Sequence, residues 1–129
     1  MSLDVKGRRA LVVDDYRSMR VTIKEYLESL GFEVSEAENG LEGLEALRSG
    51  SFDMIFTDIV MPVMDGLEFC QEVKSDKDLN RLPVVVLSTH TDATYLIKAI
   101  DMGADDYVPK PVEPALLEKV VARLLDAKW

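Results

Sequence analysis

Apolar residues along this chain fall into two alternating patterns. Short unbroken runs suit strands buried on both faces, and the stretches between them repeat apolar positions every three or four residues, as helices do. The run Arg9–Val13 stops abruptly at Asp14 and Asp15 and predicts a first strand. Met19, Ile23, Leu27 and Leu30 then mark a helix that Gly31 ends. A second strand is expected over 32–37, followed by a helix with Asn39 as N-cap, Leu41, Leu44 and Leu47 as its apolar positions, and Gly50 at its close. Residues 52–57 predict a third strand ending on Asp58, and Leu67, Cys70 and Val73 a helix beginning after Gly66. A polar loop over 75–81 leads to a fourth strand over 83–87, with Ser88 and Thr89 at its end. Ala93, Leu96, Ile97 and Ile100 mark the next helix, which Gly103 stops. The fifth strand should be short, 106–108, because Pro109 and Pro111 cannot donate ladder hydrogen bonds. Pro114 suits a first helical turn, and Leu117, Val120, Val121, Leu124 and Leu125 form the last helix's stripe.

Strand and helix alternate throughout, which predicts an α/β doubly wound fold, a five-stranded parallel sheet covered on both faces by five helices. Ligands of such sheets bind beyond the carboxyl ends of the strands, where strand order reverses. Those ends carry Asp14 and Asp15, then Asp58, then Ser88 and Thr89, and finally Lys110. In the common order 2-1-3-4-5 the first and third strands are neighbours, so three carboxylates meet at one rim and call for a cation. Oxygen donors around a partly hydrated site suit Mg²⁺, with Mn²⁺ an acceptable substitute.

Composition narrows the partners. At 129 residues and 47% hydrophobic, the chain fits one compact domain over 1–129. No run of roughly 18 apolar residues is present and the first residues lack the apolar stretch of a signal peptide, so a soluble cytoplasmic protein without membrane contact is expected. A net charge of -9 argues against direct nucleic-acid binding, which needs clustered Lys and Arg. Cys70, the lone cysteine, can form no internal disulfide and is expected in the core.

Together the Asp14-Asp15 pair, the segment Asp58-Ile59-Val60-Met61-Pro62-Val63-Met64-Asp65-Gly66, Ser88, and Gly103-Ala104-Asp105-Asp106-Tyr107 leading to Lys110-Pro111 resemble a bacterial two-component response-regulator receiver domain, over about 8–125. The resemblance implies the CheY-like strand order 2-1-3-4-5. It implies that Asp58 accepts a phosphoryl group from a sensor histidine kinase. It implies Mg²⁺ held by Asp15 and Asp58, by Asp14 directly or through water, and by the backbone carbonyl of Val60. Lys110 would set its charge against the phosphoryl oxygens, and without phosphate would pair with Asp58. Ser88 would hydrogen-bond the phosphoryl group and draw its loop inward, while Tyr107 swings from exposed to buried. A cis bond between Lys110 and Pro111 is implied too. The resemblance implies that Val60, Thr89 and His90 border the path of water to phosphorus as candidate tuners of dephosphorylation, with His90 read equally as an ordinary solvated loop histidine. Pro62 and Gly66 would shape the loop after Asp58, with Met61 and Met64 as loop packing and partner surface. Tyr16 reads only as a helix-start residue.

The product of such chemistry is a conformation, so the chain reads as a switch that acts on its own aspartate, a monomer or weak dimer whose surface of fourth helix, fifth strand and fifth helix controls an unidentified protein target. A Mg²⁺-dependent phosphatase with an aspartyl-phosphate intermediate is the alternative. Such enzymes carry an Asp-x-Asp nucleophile on the first strand, whereas Asp14 and Asp15 are adjacent and Asp58 lies on the third. A flavin-binding protein of similar topology would need a hydroxyl-rich phosphate loop after the first strand. A receiver excised from a larger regulator would read the same way.

Overall fold

The computed structural model describes residues 5–89 and 93–125, so His90 lies outside the described residues. Five strands and five helices alternate: β1 (Arg9–Val13), α1 (Arg17–Leu30), β2 (Glu33–Ala37), α2 (Gly40–Ser49), β3 (Met54–Asp58), α3 (Gly66–Ser75), β4 (Val84–Ser88), α4 (Ala93–Asp101), β5 (Asp106–Pro109) and α5 (Pro114–Leu125). All neighbouring strands pair in parallel, in the order β2-β1-β3-β4-β5. Expectation and structure agree on the architecture.

Alternation along the strands divides the core. Val12, Phe56, Val85 and Leu87 face α1 and α5, packing with Ile23, Leu27, Leu117 and Val121. Leu11, Val13, Ile55 and Val84 face α2 and α3, packing with Leu44, Leu47, Phe69 and Val73. Each fully buried side chain of this size contributes about 1.5–3 kcal/mol. The middle strands β1, β3 and β4 are therefore apolar along nearly their whole length, as a sheet covered on both faces requires.

Several boundaries and faces differ from expectation. Phe32 lies between α1 and β2, where its N–H closes the helix end by donating to the Leu27 carbonyl, and Gly31 adopts φ 117° to make that closure possible. β3 starts at Met54 and includes Asp58, because Asp53 is spent on Arg9: its N–H donates to the Arg9 carbonyl and its carboxylate accepts from the Arg9 N–H. β4 runs to Ser88, and β5 continues through Pro109. That proline is tolerated because ladder bonds on an edge strand come from alternate residues, and the N–H of Lys110 makes the next one, to Ser88.

Leu41 is exposed; on α2 the contact with α3 is made through Gly43, where a Cβ would come within 2.9 Å of the Phe69 ring. On α3, Phe69 fills the core position while Leu67 is half-buried. Met19 on α1 is also half-buried, and so are Leu124 and Leu125 on α5. On α4 only Ala99 is buried, leaving Leu96, Ile97 and Ile100 exposed.

Candidate functional site

Strand β1 delivers Asp14 and Asp15 to the rim, and β3 delivers Asp58 beside them, since Val13 pairs with Thr57 across the two strands. One carboxylate oxygen from each of the three lies within 4.8 Å of the others. Asp14 is 2% exposed and fully engaged. Its Oδ1 accepts from the Tyr16 N–H at 2.9 Å, and its Oδ2 from the Lys110 ammonium at 2.8 Å. Asp15 is exposed, and among the described residues its carboxylate has no hydrogen-bond or ion-pair partner. Hard oxygen donors of this number, one of them open, fit a partly hydrated divalent cation such as Mg²⁺.

Asp58 lies between these environments. Its Oδ1 accepts from the Ile59 N–H at 2.8 Å and sits 3.5 Å from Lys110 Nζ. Burial pushes its carboxyl above the ordinary value, against the opposing attraction of Lys110, and the charge of Asp14 pushes the same way as burial. The expected Lys110–Asp58 pair is thus present, but Lys110 is closer to Asp14. The Lys110–Pro111 bond is cis, as the resemblance implies.

The loop after Asp58 folds back onto it. The Gly66 N–H donates to the Ile59 carbonyl at 2.7 Å, and a Cβ on Gly66 would fall 1.8 Å from the Asp58 carbonyl oxygen, so only glycine fits. Between them Met64 donates to the Pro62 carbonyl across Val63, whose φ of 71° makes this a γ-turn, strained for a β-branched residue. Asp65 caps α3 by accepting from the Glu68 N–H.

A cavity of about 290 Å³ opens over Asp58 and Lys110, flanked by Tyr16, Met19, Val60 and Thr89. Val60 and Thr89 are exposed at its edge. Ser88 ends β4 fully buried, one residue beyond the Leu87 that pairs with Asp58. Tyr107 lies apart from the cavity, packed with Ile59, Val86 and Ala99. Its ring is half-buried and its hydroxyl is already enclosed, without a hydrogen-bond partner among the described residues.

Two residues at the site lie outside the motifs that mark it. Tyr16 reaches the cavity wall and lends its backbone N–H to Asp14. Arg20, 8% exposed, donates from Nη1 to the Asp14 carbonyl at 2.7 Å and from Nε to Glu36 at 2.9 Å. The signal for Arg20 is its spacing: with Ile23 and Leu27 it completes a buried stripe, where an arginine needs partners.

Comparison with known proteins accords with this geometry. The family model of the response regulator receiver domain matches residues 10–122. The chemotaxis protein CheY-3 of Vibrio cholerae is 33% identical over 94% of both chains. The response regulator MprA of Mycobacterium ulcerans is 39% identical over 90% of this chain but only 48% of its own length, so the chain spans about half of that relative. Among solved structures, the receiver domain of a sensor histidine kinase from Pseudomonas aeruginosa, with a magnesium ion coordinated in its active site cleft, superposes with a TM-score of 0.86 at 25% identity, covering 93% of this chain and 98% of that one. With an acidic pocket at the rim of a sheet of this order, the chain belongs to the response regulator receiver domain family of two-component signalling.

Proposed function

We propose that Asp58 accepts a phosphoryl group from a sensor histidine kinase and that the change in charge at this rim sets the conformation of the α4-β5-α5 surface. One observation carries the reading: Asp58 opens onto the same cavity as Lys110, within 4.8 Å of two further carboxylates. A carboxylate attacks an already anionic phosphoryl group poorly unless that charge is neutralised. Mg²⁺ bound by Asp15, Asp58, the Val60 carbonyl and Asp14 would supply that neutralisation. Asp14 has both oxygens engaged, so it acts through water.

A carboxylate oxygen of Asp58 forms the new bond to phosphorus as the donor's bond to its histidine nitrogen breaks. Lys110 then exchanges its contact with Asp14 for the phosphoryl oxygens, and the Ser88 hydroxyl donates to one of them. Reversing a two-state equilibrium completely requires about 5 kcal/mol of differential binding, and these two contacts are its source. Tyr107 serves as the readout. Val60 and Thr89 at the cavity edge, together with His90, control the entry of water. The exposed Leu96, Ile97 and Ile100 offer a protein target an apolar surface. The whole chain acts as one receiver module in the cytoplasm, and among the described residues no helix is long and apolar enough to cross a membrane.

Incubation with Mg²⁺ and acetyl phosphate is expected to add one phosphoryl group to the intact chain, read by mass spectrometry, and Asp58→Ala to abolish it. Labelling that persists in Asp58→Ala refutes the assignment. Beryllofluoride, a phosphoryl mimic, is expected to shift the amide resonances of Ser88 and Tyr107; unmoved resonances there refute the switch. Rapid turnover of varied phosphate esters would instead support the phosphatase, against which the adjacency of Asp14 and Asp15 speaks.

A further inference from the structure

Among the described residues, four polar or charged ones are buried: Asp14, Arg20, Thr57 and Ser88. Asp14 and Ser88 belong to the rim, and Arg20 stands one helical turn into α1. Its guanidinium bridges the residue after β1 and the strand β2. Nη1 donates to the main-chain carbonyl of Asp14, which ends the β1 side of the site. Nε donates to Glu36 on the edge strand β2, and Lys24 holds the other oxygen of the same carboxylate at 3.4 Å. The Asp14 carbonyl belongs to the peptide that joins Asp14 to Asp15, so Arg20 fixes the plane of that peptide. The N–H of Asp14 is held as well, by the Ala37 carbonyl at 3.1 Å.

What this grip controls is Asp15. Asp14 has its own carboxylate bonds to Tyr16 and Lys110, and Asp58 has its bond to Ile59. Asp15, exposed and with no side-chain partner among the described residues, still brings an oxygen within 4.8 Å of the other two. Its direction is therefore set by its backbone, whose preceding peptide is the one that Arg20 holds. We infer that Arg20 is a positioning residue for the cation site, clamping the Asp14–Asp15 peptide through its carbonyl so that the Asp15 carboxylate faces Asp58. Glu36 orients the guanidinium in turn. The inference rests on the proposed function in taking the three carboxylates as the cation's ligands.

Partners of this kind typically change metal affinity by roughly 10-fold to 100-fold when removed. Mg²⁺ binding to the intact chain, followed by amide chemical shifts during titration, is therefore expected to weaken about 10-fold in Arg20→Met. Arg20→Lys, able to reach one of the two acceptors, is expected to recover part of the loss. The phosphorylation rate with acetyl phosphate should show the same displacement in its Mg²⁺ dependence and reach a near-wild-type maximum at saturation. Arg20→Gln replaces Arg20→Met if the latter loses its native amide spectrum. A folded Arg20→Met or Arg20→Gln chain that binds Mg²⁺ as wild type does overturns the inference, even if its stability has fallen. Failure of wild type itself to bind Mg²⁺ or take a phosphoryl group strikes the proposed function instead, so the two are separable.

Discussion

Helices α1 and α4 carry the same kind of apolar spacing and meet opposite fates. On α1 the stripe is sealed, with Ile23 and Leu27 at 0% exposure. On α4 Ala99 alone is buried, in a small cluster with Ile59 and Val86, while Ile97 and Ile100 are 57% and 60% exposed. Periodicity reveals that a helix has an apolar face, but not that its own chain covers it. α1 lies over β2 and β1 and shares its core with α5 side chains, whereas α4 joins a smaller cluster with β4, β5, α3 and Ile59. The contrast extends to the site: the start of α1 grips Asp14 through the Tyr16 N–H and the Arg20 guanidinium.

The comparison breaks first at Leu27. Leu27→Ala should cost about 3 kcal/mol in urea unfolding, the transfer term plus a cavity; a loss below about 1 kcal/mol would mean that α1 is not the sealed side. Ala99→Leu should cost about 2 kcal/mol, because extra methylenes must enter the packed cluster around Ala99. Asp58 stands on the seam between the two sides. Its carboxyl is raised from the ordinary 3.8 by burial, so the folded chain holds this proton more tightly than the unfolded one. Metal-free stability attributable to Asp58 therefore falls as pH rises from that ordinary value through the raised one. Asp58→Asn is expected to melt above wild type at neutral pH and to converge with it in acid, and parallel melting curves at every pH would contradict this. The smallest effect belongs to Ile100→Ser, within about 0.5 kcal/mol of wild type, as for an uncovered surface position. A loss above about 2 kcal/mol there would erase the distinction between the helices.

Most of the architecture was legible because the strand runs are apolar on both faces and end on carboxylates or hydroxyls, which locates β1, β3, β4 and the rim together. Gly31 and Asn39 announced their helix ends through chemistry that acts within a few residues. Burial of particular faces was less legible. Leu41 and Leu67 yield their core places to Gly43 and Phe69 because close packing of α2 on α3 is a matter of shape between distant segments. The same holds for Arg20, whose partners are Asp14 after β1 and Glu36 on β2, and for Lys110, whose nearest carboxylate is 96 residues away on Asp14. Motif resemblance locates such side chains at one rim, yet the division of Lys110 between Asp14 and Asp58 depends on distances that only the folded chain has.

Cys70 extends the contrast to the far face of the sheet. Its thiol is buried on α3, donates to the Met102 carbonyl, and is pushed up to about 11 by burial. A maleimide reagent needs an accessible thiolate, so this side chain stays silent while α3 lies on the sheet. Since the chain has a single cysteine, any alkylation counts openings of that one helix. The molecule thus contains its own gauge of local unfolding, readable without adding a probe and separate from every group at the acidic rim.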